Sequence, residues 1–256
     1  MNSFSRSMLV SALRRLFGYN PQKYYSLIEY MRRIPGLTLS VGERSVRLSP
    51  ESYWEYTRFQ RILSKEPETI AWINGFAPDS VLWDIGANVG VYSVYAALRH
   101  PSVRLLAVEP EPANVIRLAA NLATVAPERS IAIPMGMAGE TGVFFLERSC
   151  MIAGSNANQL TSKAGGFGCA GFSIDDLVRL DGIPFPSYLK IDVDGIEISI
   201  LAGATATLAD PRLRSVLVEA QDAAAAAAID ATMIGAGFAP CDMPQVQGNR
   251  IYVKTA

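Results

Sequence analysis

The stretch Asp84-Ile-Gly86-Ala-Asn88-Val-Gly90 decides how this chain is read. It follows the apolar run Val81-Leu-Trp83, a strand, and leads into Val89 to Leu98, a helix. An acidic, glycine-containing turn between a buried strand and a helix lies where doubly wound sheets bind their ligands, outside the carboxyl ends of the central strands. Glycines at 86 and 90 let a ligand approach the backbone and permit turn conformations closed to residues with a Cβ. Any tight strand-to-helix turn has the same need, so the loop by itself does not name a ligand.

Outward from this turn, short apolar runs alternate with helical segments. Val103 to Val108, Ile131 to Ile133, Tyr188 to Ile191 and Val216 to Val218 read as further strands, with an extra one at Val143 to Leu146. Helices are expected at Pro112 to Val125, Ile174 to Leu180, Ile196 to Leu208 and Asp222 to Ile234, followed by runs at Phe238 to Cys241 and Arg250 to Lys254. Apolar strands separated by helices imply a doubly wound, mostly parallel α/β sheet buried on both faces. The alanine run Ala223 to Ala228 suits a helix, since alanine is the best helix former. The stretch Arg148 to Gly171, with Asn156, Asn158, Gln159, Gly165 and Gly166, reads as a long polar loop and a candidate lid. Residues 1 to 75 form a mainly helical extension or cap: two helices, an extended stretch near Leu37 to Leu48, and a helix opened by Ser49-Pro50-Glu51 and running to about Phe76. The binding domain is then residues 76 to 256.

The second predicted strand ends at Glu109-Pro110. An acid at that point can accept hydrogen bonds from the hydroxyls of an adenosine ribose. A dinucleotide site needs G-x-G-x-x-G, so that a pyrophosphate rests on backbone N–H groups. Here Asn88 stands at the second glycine position, Tyr92 lies beyond Gly90, and Asp84 would face the phosphates. S-adenosylmethionine offers instead an ammonium, a sulfonium and a ribose, for which carboxylates at Asp84 and Glu109 are favourable partners.

Asp-Ile-Gly-Ala-Asn-Val-Gly at 84–90, Val-Glu-Pro at 108–110 with Asn114 and Asn121, Leu-Lys-Ile-Asp-Val-Asp-Gly-Ile-Glu at 189–197, and Val-Leu-Val-Glu at 216–219 together resemble the FkbM family of methyltransferases. The resemblance covers about residues 80 to 219 and leaves out the first 75. It implies the class I methyltransferase fold, S-adenosylmethionine as cofactor, and transfer to a hydroxyl of a sugar, glycan or secondary metabolite. It implies too that Asp84, Gly86, Asn88 and Gly90 surround the methionine portion, that Glu109 holds the ribose, and that Pro110 and Asn114 complete that side. On the adenine side the family usually shows Ala-Leu-Gly, where this chain has Met135-Gly136-Met137; Gly136 and Met137 are the candidates.

Strand alternation sends Lys190 and Asp192 to the same side of the fourth predicted strand, with Glu219 ending its neighbour. A hydroxyl acceptor loses its proton near the moment of transfer, so a positioned base helps. The only histidine, His100, follows the first helix and falls on the far side of the sheet, which leaves Asp192 and Glu219 as base candidates, with Lys190 beside them and Asp192 also facing the cofactor. A helix-capping Asp192 paired through Lys190 is the structural alternative. Two such acids can also hold Mg²⁺, but no third ligand is evident and no metal is assigned.

The whole chain, 256 residues with Lys+Arg 23 against Asp+Glu 24, has no electrostatic footprint for nucleic acid. Cys150, Cys169 and Cys241 are too few and scattered for a disulfide framework or zinc site, which points to a reducing, cytoplasmic setting. The segment Ser5 to Phe17 has helical apolar spacing broken by Arg14 and Arg15, too short for a membrane span. Six basic residues against Glu29 through Arg33 allow peripheral contact with a membrane or partner, against the plainer reading of a helix packed on its own domain. Tyr24, Tyr25, Tyr30, Tyr53, Trp54, Tyr56 and Phe59 are core or acceptor platform. Competing functions are nicotinamide-dependent oxidoreduction, disfavoured by Asn88 and Asp84, and a silent scaffold using its basic N-terminal helix. Acceptor identity and oligomeric state are left open by the sequence.

Overall fold

A computed structural model describes residues 36–148, 152–154, 158–163, 165–241 and 248–255. The helices expected before residue 36, with Tyr24, Tyr25 and Tyr30, lie outside the described residues, as do Cys150 and Asn156. Residues Gly36–Ala256 form one compact unit.

The extended stretch near Leu37 is an antiparallel hairpin of β1 (Leu37–Val41) and β2 (Arg44–Leu48). Where one helix is expected from Ser49 to Phe76, there are three: α1 (Tyr53–Gln60), α2 (Ile62–Lys65) and α3 (Pro67–Asn74). The start is set by Ser52 rather than Pro50, since the Ser52 hydroxyl accepts from the Glu55 N–H at 2.9 Å. The second break falls at Glu66-Pro67, where proline disfavours helical backbone at the residue before it and has no N–H to donate. Tyr53 and Trp54 are exposed while Phe59 is buried, so the N-terminal aromatics divide between surface and core. Ser52 is buried and also donates to the Ala153 carbonyl. Ser52→Ala is therefore expected to lower stability by about 1–2 kcal/mol, the sum of a lost cap and a lost tertiary bond. Urea unfolding reads this directly, and an unchanged midpoint would contradict it.

The central sheet contains β3 (Val81–Ile85), β4 (Arg104–Val108), β5 (Ser130–Ile133), β10 (Tyr188–Ile191), β11 (Ser215–Glu219), β12 (Phe238–Pro240) and β13 (Asn249–Lys254). Their order is β12-β13-β11-β10-β3-β4-β5, with β13 antiparallel to both neighbours and the five strands from β11 to β5 parallel. Adjacent residues serve opposite faces: Leu105 packs with Val94, Leu118 and Leu122 on one side, and Leu106 with Trp83, Ile200 and Met233 on the other. Helices α4 (Val91–Arg99) and α5 (Pro112–Val125) cover the first face together with β1 and α3. Helices α6 (Ile174–Leu177), α7 (Glu197–Ala202), α8 (Thr205–Ala209) and α9 (Ala223–Gly235) belong to the second. The helix expected over Ile196 to Leu208 is thus two, interrupted at Gly203, and α6 ends three residues before Leu180.

The polar stretch from Arg148 to Gly171 is not one loop. It contributes β8 (Asn158–Thr161) and β9 (Phe167–Phe172), which join β6 (Gly136–Met137) and β7 (Gly142–Arg148) in a second sheet ordered β6-β9-β7-β8. Glycine hides this strand from a propensity argument, but Gly171 makes room for the Phe144 ring, which a Cβ there would meet at 2.4 Å. Among the described residues no helix is long and apolar enough to cross a membrane.

Candidate active site

The register pairs Ile85 with Ile191 on one side and with Val108 on the other, so the carboxyl ends of β3, β4 and β10 are level. Over them opens a cleft. Of the site residues anticipated from sequence, Gly86, Asn88, Glu109, Pro110, Asn114, Gly136, Met137, Asp192 and Glu219 line it. Asp84, Gly90 and Lys190 do not.

The turn after β3 is held by its own backbone. The N–H groups of Gly86 and Ala87 both donate to the Val108 carbonyl at 3.0 Å. Gly86 has φ +77, and a Cβ there would stand 1.8 Å from the Asp192 carbonyl oxygen, so only glycine lets the turn lie against the end of β10. Gly90, also at positive φ, opens α4. Strand β3 runs two residues past the expected end at Trp83, to Ile85, and this puts Asp84 inside the sheet rather than at a strand tip. Burial raises its pKa, opposed by Lys190 and by the Ser93 hydroxyl, which donates to Asp84 at 2.7 Å. Asp84 Oδ1 accepts no hydrogen bond; the Lys190 ammonium lies 3.9 Å away.

Glu109, just past β4, is buried and organises the other side. It accepts from the N–H of Asn88 at 2.9 Å, the N–H of Glu111 at 3.0 Å and the Asn114 amide at 3.2 Å. A carboxylate offers about four acceptor positions, and the open one is on Oε2, which takes only the Asn88 N–H among the described residues. Burial pushes the Glu109 carboxyl up to about 7 against these three donors. Asn114 is engaged at both ends, since its Oδ1 accepts the Gly154 N–H at 2.8 Å, and so fastens Glu109 to the segment 152–154. Beyond Pro110 the wall turns apolar, with Met135, Met137, Leu146 and Leu160.

At the β10 end the Lys190 ammonium donates to Asp192 at 2.7 Å from a fully buried position. Burial works against that charge, yet Asp192, Asp84 and Glu66 hold it protonated well above the ordinary lysine range. Burial likewise works against charge on Asp192, but Lys190 keeps this carboxyl below its usual range. Glu219 hydrogen-bonds to Asp192, and burial together with the Asp192 charge pushes it up to about 8. Within this pair the surroundings favour the charge on Asp192 and the proton on Glu219. The turn that follows β10 is tied by Glu197, whose carboxylate accepts from the N–H groups of Val193 and Gly195. No group of three His, Cys, Asp or Glu among the described residues is placed to hold a metal ion. His100 sits at the opposite end of α4, its Nε2 2.7 Å from the Ile73 carbonyl.

Sequence reasoning missed Arg58, Lys65, Leu146, Leu160 and Asp194 as lining residues. For Asp194 a signal exists, because it lies within the motif at 189–197. Nothing in their own spacing marks the others.

The profile of a family described as the methyltransferase FkbM domain matches residues 84–240. The chain is 27% identical over 168 residues to the hexuronic acid methyltransferase AglP of Haloferax volcanii, covering 66% of this chain and 68% of that protein. It is 28% identical over 192 residues to the 31-O-demethyl-FK506 methyltransferase FkbM of Streptomyces tacrolimicus, covering 63% and 73%. Among solved structures, a methyltransferase FkbM from Methylobacillus flagellatus superposes with a TM-score of 0.53 at 14% identity, covering 79% of this chain. This chain spans 55% of the length of that structure, and the likeness shows the expected class I methyltransferase fold.

Proposed function

We propose, from the premise that this chain belongs to the methyltransferase FkbM family, that it moves the methyl group of S-adenosylmethionine to a hydroxyl of a sugar, glycan or secondary metabolite. The carrying observation is the Asp192–Glu219 acid pair, which shares one cleft with the ribose-type acceptor Glu109. The relatives' names agree in type, one a hexuronic acid methyltransferase and the other acting on an O-demethyl compound. The near-neutral charge of -1 fits a small molecule or glycan better than nucleic acid.

The residues present fit the cofactor. The open acceptor position on Glu109 Oε2 suits a ribose hydroxyl, and Pro110, Met135 and Met137 suit the flat, apolar faces of adenine. Asn88 and Gly86 shape the turn around the amino-acid end, and Asp192 and Asp194 favour a cationic neighbour. When bound, S-adenosylmethionine supplies an electrophilic methyl group on a sulfonium leaving group. Asp192, held ionised by Lys190, orients the acceptor hydroxyl; Glu219, whose proton affinity lies near the working pH, receives the proton once ionised. Asp84 acts from below, through Lys190 and Ser93, as a positioning residue.

Titration calorimetry with S-adenosylhomocysteine tests the reading, and no binding at millimolar ligand would end it. Glu109→Ala is expected to weaken that binding about tenfold, the worth of a charge-assisted hydrogen bond. Because the Glu109 carboxyl titrates near 7 and only its ionised form accepts on both oxygens, affinity should also fall as pH drops through about 7. Wild-type affinity in the variant, with no pH dependence in the parent protein, would remove Glu109 from the site.

A further inference from the structure

We infer that the helices ahead of the family-matched region complete the cofactor site, with Arg58 of α1 and Lys65 of α2 binding the carboxylate at the amino-acid end of S-adenosylmethionine. The inference rests on the reading of the cleft as the cofactor site. It assigns a ligand group to a part of the chain on which the family match, residues 84–240, is silent.

An amino-acid end carries a carboxylate as well as an ammonium. The acids facing that part of the cleft, Asp192 and Asp194, suit the ammonium and repel the carboxylate. Among the described residues, the cations lining the cleft are Arg58 and Lys65. Lys190 lies beneath the floor with its ammonium committed to Asp192. Both rim cations act electrostatically on Asp194, and Lys65 acts on Asp192 as well, so they stand at the end where the turn after β3 meets β10.

Geometry favours Arg58 as the anchor. Its Nε donates to the Gly154 carbonyl at 2.5 Å, Gly154 donates to Asn114, and Asn114 donates to Glu109. One chain of hydrogen bonds thus fixes the guanidinium relative to the acid read as the ribose holder. The two η-nitrogens have no hydrogen-bond partner among the described residues. A planar fork held at its base, with its outer donors available, matches a carboxylate in two-point geometry. Lys65 is a flexible point charge, half-exposed and leaning on Glu66 at 2.6 Å, and supplies a second, weaker contact.

The test compares S-adenosylhomocysteine with the analogue lacking only its carboxylate, 5′-(3-aminopropylthio)-5′-deoxyadenosine, by calorimetry on the full chain. Wild-type protein should prefer the carboxylate-bearing ligand by about tenfold or more. Arg58→Met should lose most of that preference by weakening S-adenosylhomocysteine alone, and Lys65→Met should lose a smaller part. Equal binding of the two ligands by the wild type, an unchanged preference in both variants, or a parallel loss of both ligands would overturn the inference. Should Arg58→Met fail to fold, Lys65→Met decides, because its side chain is 42% exposed. Absence of S-adenosylhomocysteine binding by the wild type would defeat the cofactor reading itself, a different outcome from intact binding without carboxylate preference.

Discussion

Asp192→Asn is expected to lower methyl transfer by about 10²-fold or more, the scale of positioned acid–base catalysis, while changing cofactor affinity far less. Asparagine keeps the volume of the side chain, and its Oδ1 can still accept from the Lys190 ammonium, now 2.7 Å from Asp192. Only the charge is removed. That charge has two tasks in the proposed reaction: it orients the acceptor hydroxyl, and it raises the proton affinity of Glu219, second to burial. Glu219 titrates near 8, so it is protonated below that pH and able to receive a proton above it. Wild-type turnover should therefore rise as pH passes through about 8, and in Asp192→Asn this limb should move to lower pH. A variant merely distorted in shape would lose rate without moving the limb. Wild-type turnover in Asp192→Asn would exclude the role and leave Glu219 as the acid to examine.

The parts of the fold and site legible in the sequence share one property: they depend on local order along the chain. The run Val81 to Gly90 announces strand, turn and helix by itself, and the doubly wound sheet is found where the alternation of apolar runs puts it. Alternation along β10 sets Lys190 and Asp192 on one side, and their side chains meet. What escaped depends on tertiary approach. Arg58 and Lys65 reach the cleft where breaks at Arg61 and at Glu66-Pro67 split one expected helix into three, and no periodicity in that segment reports which side chains then turn inward. Asn114 looks like a ligand residue in sequence, yet it is engaged by Glu109 and by Gly154, forty positions away. Strand β9 is concealed by its glycines, of which Gly171 makes room for the ring of Phe144. The depth of Asp84 turned on whether β3 stopped at Trp83 or at Ile85.

Lys190→Met is expected to destabilise the protein by about 3–5 kcal/mol at neutral pH, the cost of leaving buried charges without their partner. Methionine replaces the stem but not the ammonium, which serves three acids at once: Asp192, Asp84 and Glu66. Asp84 is 1% exposed and has one oxygen with no hydrogen bond, so its only compensation on that side is the cation 3.9 Å away. The pH dependence follows from the directions of the shifts. Lys190 titrates above its ordinary 10.5, so its stabilising contribution is fully present below that pH and is lost only as pH rises through the folded-state value. Asp192 and Glu66 titrate below their ordinary 3.8 and 4.5, so their contributions are present above those values and fade as pH falls through the folded-state ones. The gap between wild type and Lys190→Met should hence be widest near neutrality and narrow in acid, where Asp84, raised by burial, protonates first and needs no counter-charge. Urea unfolding at a series of pH values measures this gap. Adding Asp84→Asn to Lys190→Met should recover part of the loss at neutral pH, because it removes the most deeply buried of the stranded charges. A gap independent of pH, or a double variant no more stable than Lys190→Met, would show that Lys190 contributes by packing its stem and not by balancing the acids beneath the cleft.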